Sequence, residues 1–509
     1  MDLVIGSGPS GIAAATALLA RGRKVLMLDG GKGLEADRAT ARDNLAQRAP
    51  QDWSGADRTR WQAPQFATPA GQVRRYGSDF AMEPADQTFA TGAGHFLLRA
   101  SHAQGGLSNL WGSALLPYRA SDMAGWPISA GDLAPHYRAV AGFLPISGRS
   151  DDLQALFPDP DLTDRTALAP SPQAARLLER LAQAKAALAT SGITAGQARQ
   201  AVAPGCRQCG QCLHGCPWGL IWSAAQELAR LRSHPGFTYR PGALVHRFAE
   251  SADAITLHLA TGETVTGARA FLGAGVLESA RILLASGAAG KALTLRDSAH
   301  GFLPMLHGWR APRRPDRGAF HTLPQIFAEL DAPQISPFSL HAQFYSWNEF
   351  FERDLVQTYA RRLPGSAPLF RALARRLIVA QIFLHSDQSA AVHLTLAADG
   401  RLCATVQGNP LTAPAFDAAA RSFGGGLRHA GLWPLLPARR LNPVGSGFHA
   451  GATLPMSASP TAGQSDVLAR PQGLSRLHLI DASSLPAIPS TTITLSVMAN
   501  AHRIGSLAP

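Results

Sequence analysis

The sequence predicts an α/β protein of two parts. One part is a Rossmann-type dinucleotide-binding domain on a parallel sheet. The other is an α+β domain built on an antiparallel sheet. Three observations carry this expectation. The first thirty residues read strand, glycine turn, helix, strand, acid. Residues from about 300 to 440 hold more aromatics and prolines, with a hairpin from Val392 to Val406 turning at Asp399-Gly400. The C-terminal part then returns to the first character, with an apolar strand Leu477 to Ile480 running into Asp481-Ala482-Ser483.

The N-terminal unit is the most informative. Asp2 to Ile5 is a short apolar run, followed at once by Gly6-Ser7-Gly8-Pro9-Ser10-Gly11. Ile12, Ala15, Leu18 and Leu19 then recur at helical spacing. A second apolar run, Lys24 to Leu28, ends in Asp29. The first glycine permits the tight turn, the second lets the backbone approach a pyrophosphate, and the third lets helix pack on strand. Free N–H groups and the helix dipole attract the phosphates. Asp29 is placed to accept from a ribose hydroxyl. A glycine turn alone is a weak signal, but strand context and the spaced acid agree with it. No second unit of this quality exists in the chain, so a permanently held FAD is a better reading than NAD.

Along the chain, Gly30 to Gln65 is a polar surface excursion, and Phe66 to Leu98 has no clear period. Gly105-Gly106-Leu107-Ser108-Asn109-Leu110-Trp111-Gly112 suits a loop pressed against a cofactor. Trp126-Pro127-Ile128-Ser129 opens a helix at Asp132. Ala174 to Ala189 reads as an amphipathic helix with Leu177, Leu178, Leu181, Ala184 and Leu188 on one face. Ile255 to Leu259, a turn at Thr261-Gly262 and a return at Thr264 read as a hairpin. Phe271 to Leu284 repeats strand, small-residue turn and helix, and a last helix runs from about Thr494 to Ile504. Arg361, Arg362, Arg371, Arg375 and Arg376 flank apolar residues in one expected helix, as a solvated basic face. The domain boundaries read as 1–140, 223–300 and 440–509 for the nucleotide domain, with 141–205 a helical connection. The stretch 206–222 is a cysteine-rich loop and 301–439 the second domain.

The net charge of +12 is carried almost wholly by arginine, with lysine only at Lys24, Lys32, Lys185 and Lys291. The arginines are dispersed and accompany no nucleic-acid motif, so nucleic acid is not an expected partner. No apolar run reaches the length of a membrane span. The first strand begins at residue 2, which leaves no room for a secretory signal. A cytoplasmic location follows as the expectation.

Four of the five cysteines lie together as Cys206, Cys209, Cys212 and Cys216, followed by Pro217. The spacing C-x2-C-x2-C-x3-C-P is that of bacterial ferredoxins. Thiolates suit iron–sulfur clusters or zinc. Gly205, Gly210 and Gly215 leave room for the backbone to wrap. No second cysteine run exists to share the fourth thiol. The four therefore close one [4Fe–4S] cluster, or three hold a [3Fe–4S] cluster and one is spare. The rivals are a loop that holds no metal and zinc, although the two ligand pairs of a zinc site are normally separated by a longer loop. Cys403, on the hairpin, reads as a buried core thiol.

Together these residues resemble the glucose–methanol–choline (GMC) oxidoreductases. The match covers the N-terminal fingerprint with Asp29, the loop Gly105 to Gly112, and Trp126-Pro127-Ile128-Ser129 with Asp132-Leu133. It continues through Gly273-Ala274-Gly275 to Ser286-Gly287, and His449-Ala450-Gly451-Ala452-Thr453-Leu454-Pro455-Met456. It ends with Asp481-Ala482-Ser483 and the helix around Met498 to Arg503. Gly215-Cys216-Pro217-Trp218-Gly219 is similar to bacterial members that carry a cysteine run.

The resemblance implies FAD contacts at Gly6, Gly8, Pro9, Ser10, Gly11 and Asp29, and at Gly106, Ser108, Asn109 and Gly112. It implies further contacts at Val245, Ala274, Gly275, Asp481, Ala482, Thr492 and Ile493. It makes His449 the base that takes a hydroxyl proton while hydride passes to flavin N5. Two departures stand out. Thr492 occupies the place of the family's second His or Asn, which implies that its hydroxyl is the catalytic partner of His449, and Ala452 occupies the place of a glycine. Leu110 stands where some relatives attach flavin through histidine, which implies non-covalent FAD. The implied activity is FAD-dependent oxidation of an alcohol or sugar, with electrons relayed through the cluster to an acceptor protein or quinone-linked carrier. An oxygen-dependent oxidase without a cluster, and a non-redox flavin-containing lyase, remain the alternatives.

Overall fold

The computed structural model describes residues 1–62, 80–92, 96–158, 160, 162, 165–309, 320–360 and 363–509. Its centre is a parallel five-stranded sheet in the order Leu477–Leu479, Arg269–Leu272, Asp2–Ile5, Val25–Leu28, Phe237–Arg240. Leu3, Val4 and Ile5 are all buried. Their unbroken apolar run is what a strand covered on both faces requires. The helix Pro9–Ala20 follows the glycine turn and is buried almost all round, at Ile12, Ala13, Ala14, Ala15 and Leu18. Its main partner is the last helix, Thr494–Leu507. The approach is so close that a Cβ on Gly505 would lie 2.8 Å from the carbonyl oxygen of Ala14. At the opposite sheet position, Arg269 donates to both carboxylate oxygens of Asp2, with both side chains buried.

A larger antiparallel sheet of seven strands supplies the second layer. Its main path is Leu432–Pro434, His300–His307, Leu377–Phe383, Leu340–Tyr345, Ile326–Leu330, Ile193–Gln197, and Arg440–Leu441 pairs beside His300–His307. Register along two rungs sets the site. His300 and His341 both pair with Phe383, and Phe302 and Gln343 both pair with Gln381. Its second face packs on the helices Pro172–Gln183 and Thr412–Gly426 through Leu177, Leu181, Phe416 and Phe423.

Several local expectations hold. Ser129 caps the helix Ala130–Ala141 by accepting from Asp132 N–H, with Asp132 completing a capping box. The hairpin Ile255–Leu259/Thr264–Gly267 forms, as does Ala391–Leu396/Leu402–Gln407. The second of these lies in a separate five-stranded sheet with Ala292–Asp297 and Ala450–Gly451. The stretch read as a helical connection also contributes the sheet strand Ile193–Gln197. The expected helix over 174–189 is broken at Ala184 into Pro172–Gln183 and Lys185–Thr190. Cys403 is partly rather than fully buried, because it takes the outer face of its strand. Arg361 and Arg362 lie outside the described residues, while Arg371 sits on the helix Ala367–Ala374.

Gly11 carries the contact that lets the first helix leave its strand. A Cβ there would run into the carbonyl oxygen of Gly6. Gly11→Ala is therefore expected to lower stability by about 1–3 kcal/mol. Denaturant unfolding at unchanged m-value is the check, and an unshifted midpoint would show that the turn has slack.

Candidate functional site

A cavity of about 600 Å³ lies where the parallel and the seven-stranded sheets meet. Three helix N-termini reach it, those of Pro9–Ala20, Val276–Ala285 and Thr494–Leu507. Gly8 precedes the first helix with no side-chain cap, and the space where its Cβ would stand is open. Gly8, Pro9 and Ser10 at that helix start line the cavity, and a helix N-terminus is an arrangement for anions. Gly106 approaches Gly8 from the other side, so two glycine loops face each other. Ser7 Oγ accepts from Gly105 N–H at 2.9 Å and ties the loops together.

Asp29 sits at the end of its strand on the cavity wall. It accepts from Ser7 N–H at 2.7 Å, Gly31 N–H at 2.6 Å and the Tyr239 hydroxyl at 3.1 Å. Burial, and then the Asp29 charge, push the Tyr239 phenol up, so it stays a donor. Asp481 is also on the wall and fully buried. Burial raises its carboxyl, against donation from the Ser279 hydroxyl at 2.6 Å. The other acids of this half are partnered. Glu83 lies beside Lys32 and His102, and Glu278 beside Arg281 and His102. Burial opposes ionisation of Glu278, but His102 and Arg281 overcome it and hold the carboxyl at about 2. The glycine cradle, the helix N-termini and the acid at the end of its strand together fit a dinucleotide such as FAD.

Gly6, Gly8, Pro9, Ser10, Asp29, Gly106, Ser108, Gly112, Ala274, Gly275, Asp481, Ala482, Thr492, Ile493 and His449 all line this cavity. Three expected contact residues do not. Gly11 is spent on the strand–helix crossing. Asn109 turns inward, its amide donating to the carbonyls of Gln104 and Gly106, so it shapes the loop rather than facing the space. Val245 is buried in its hairpin, with its carbonyl accepting from Arg281.

His449 lies on a loop with its imidazole stacked on Phe383, ring centres 4.9 Å apart at 21°. Its carbonyl accepts from Ser298 N–H at 2.9 Å. Just beyond it, Ala452 has φ +55°, a conformation that glycine would adopt without cost. Thr492 is placed differently from a substrate-facing partner. Its Oγ1 accepts from Leu116 N–H at 2.7 Å and donates back to the Leu116 carbonyl at 3.3 Å. The hydroxyl is occupied by main chain, so Thr492 holds the cavity wall. Sequence reading missed the wall of the second layer: His300, Phe302, Gln343, Tyr345, Gln381 and Phe383. Their alternation on three strands was the only signal available.

The cysteine loop packs beside the same cavity, which Leu213 lines. Gly205, Gly210 and Gly215 all take positive φ, as does Gln208, so the backbone wraps as the glycines suggest. Burial pushes the thiols of Cys206, Cys209 and Cys212 up, that of Cys212 to about 12. Charge on Cys216 adds to the shift in all three. Main-chain N–H groups oppose it, including Thr322 N–H at 3.4 Å from Cys212 Sγ. The polar excursion after Asp29 folds over this loop. Trp53 stacks on Trp218 at 5.5 Å, and Trp61 and Leu45 share a cluster with Cys209. Among the described residues no three His, Cys, Asp or Glu gather as ligands of one metal ion. Four thiolates around a cluster each bind a different iron, so they need not converge on one point.

Beneath the His449 loop, the buried Asp297 carboxyl accepts from Gly445 N–H at 3.0 Å. Burial raises it to about 7, against that bond. The native carboxyl thus keeps its proton to about pH 7, whereas the unfolded one loses it near pH 4. Between those values the native state binds more protons, so stability falls as pH rises, by at most about 4 kcal/mol. Asp297→Asn keeps an acceptor for Gly445 and cannot ionise. It is expected to match the wild type at about pH 4.5 and to exceed it at about pH 8. Thermal unfolding at the two pH values is the check; parallel curves would place the titration elsewhere.

No protein-family model matches the chain, and no curated protein matches its sequence. Among solved structures, a pyridoxine 4-oxidase from Mesorbium loti is similar with a TM-score of 0.59 and 17% sequence identity. The likeness covers 99% of this chain and 98% of that one. The two proteins therefore share one fold along their whole length.

Proposed function

We propose that the chain is an FAD-dependent oxidoreductase of GMC type acting on the CH–OH group of an alcohol or sugar. The observation that carries the reading is His449. It stands on the wall of the cavity whose other side is the glycine cradle, with its ring held by Phe383. The cradle of Gly6, Gly8 and Ser10, with Asp29 at the ribose end, would hold the dinucleotide, and the bound flavin supplies the hydride acceptor. His449 takes the hydroxyl proton. Phe383 holds the imidazole, the Ser298 contact holds the His449 main chain, and Thr492 fixes the wall beside it. The fold shared with a pyridoxine 4-oxidase adds support for CH–OH chemistry, but fold alone does not select the electron acceptor.

His449→Ala is expected to slow substrate-driven flavin reduction by about 10²–10⁴-fold. FAD content should be retained. Anaerobic bleaching kinetics give the answer, and unchanged reduction would remove His449 from the mechanism.

The cysteine loop belongs to the same proposal. Cys206, Cys209, Cys212 and Cys216 would bind an iron–sulfur cluster, [4Fe–4S] or [3Fe–4S], that passes electrons singly to an external acceptor protein or quinone-linked carrier. Buried thiols that raise one another's pKa are costly to ionise without a cation nearby. Main-chain N–H groups at the sulfurs and Leu213 on the cavity wall support a relay beside the flavin. The second reading is an oxygen-dependent oxidase, which the likeness to a pyridoxine 4-oxidase favours. Cys209→Ser is expected to lose iron and sulfide and slow transfer to one-electron acceptors, while flavin bleaching persists. Iron-free wild-type protein, or equal turnover with every acceptor including oxygen, would favour the oxidase.

A further inference from the structure

The seven-stranded sheet contributes six side chains to the cavity wall: His300 and Phe302, Gln381 and Phe383, Gln343 and Tyr345. They alternate along three neighbouring strands and so share one face. None is a carboxylate, a lysine or an arginine. The acids of the cavity all lie on the nucleotide side.

Gln343 and Gln381 are partners in register, and Tyr345 lies beside them. The Tyr345 hydroxyl is 3.1 Å from Gln381 Oε1 and 3.3 Å from Gln343 Oε1. A phenol has one proton, so it donates to only one of these oxygens. The other glutamine satisfies the phenol oxygen only with its amide turned over, so that its NH2 donates. Amide oxygen and nitrogen are assigned from such networks. Neither glutamine side chain has another hydrogen-bond partner among the described residues. Whichever way the pair settles, one glutamine offers the cavity a donor and the other an acceptor. A carboxylate would be opposed by the acceptor, and an ammonium by the donor. Hydroxyl groups, which donate and accept, satisfy both.

The pair sits close to the reacting position. Gln381 is two residues from Phe383 on the same face, roughly 7 Å along the strand. Phe383 carries the His449 ring. We propose that Gln343 and Gln381, oriented by Tyr345, select an uncharged substrate bearing a second hydroxyl near the one oxidised. This rests on the oxidation reading given above. The two glutamines touch substrate; Tyr345 is a positioning residue.

The test uses the flavin-loaded full chain and matched probes: cyclohexanol against 1,2-, 1,3- and 1,4-cyclohexanediol, with glucose, glycerol and benzyl alcohol. Anaerobic flavin bleaching gives kcat and KM for each. At least one diol is expected to exceed cyclohexanol about 10-fold in kcat/KM, chiefly through KM. Gln343→Leu and Gln381→Leu should bring that ratio toward one. Tyr345→Phe should lower the ratio too, since the amides then lose their fixed orientation. Retained FAD content shows that a variant is folded, and Gln381→Met serves if leucine is not tolerated. A wild-type ratio of one, or ratios unchanged in every folded variant, would overturn the selection while leaving the oxidation reading intact. If no probe alcohol bleaches wild-type flavin, the oxidation reading falls and takes the selection with it.

Discussion

The rest of the molecule depends on one close approach of backbones. Gly6, at φ +96°, passes so near Gly273 that a Cβ would collide with its carbonyl, and Gly11 lies against Gly6 itself. That contact sets how the first helix leaves the sheet and where its uncapped N-terminus points. Since the last helix packs on the first, the same contact fixes Thr492, Ile493 and Thr494 at the cavity. A side chain cannot be added at this crossing without moving both ends of the chain.

The second layer meets this frame through the loop that carries His449. Its imidazole depends on a ring from the opposite sheet, and its backbone on Ser298 and on Gly445 held by Asp297. The proposed base thus belongs to neither layer alone. Asp297 is an acid buried without full pairing among the described residues, since its Oδ1 has no hydrogen-bond partner. Such a group trades stability for the position of what it holds.

The cysteine loop is organised in the same way, by covering. The excursion after Asp29 supplies Leu45, Trp53 and Trp61 to roof it, and Arg207 lies over the Trp218 ring at 4.8 Å. A loop with four residues at positive φ has little regular hydrogen bonding of its own. Its shape is therefore held by these aromatic contacts.

The sequence by itself determined the half built on the parallel sheet. Glycines at 6, 8 and 11, the acid at 29 and the apolar run of the first strand each answer to a local rule of backbone geometry or burial. The hairpins at 255–267 and 391–407 were equally legible, because alternation and turn residues are local. What only the tertiary structure decided was pairing and direction. It put the second hairpin in a separate sheet and drew Ile193–Gln197 into the large one. It turned Asn109 inward and occupied the Thr492 hydroxyl with Leu116. It brought Gln343, Tyr345 and Gln381 to one wall. Strand neighbours far apart in sequence leave no periodic trace of one another, and a hydroxyl's partner is set by packing rather than by its neighbours in the chain.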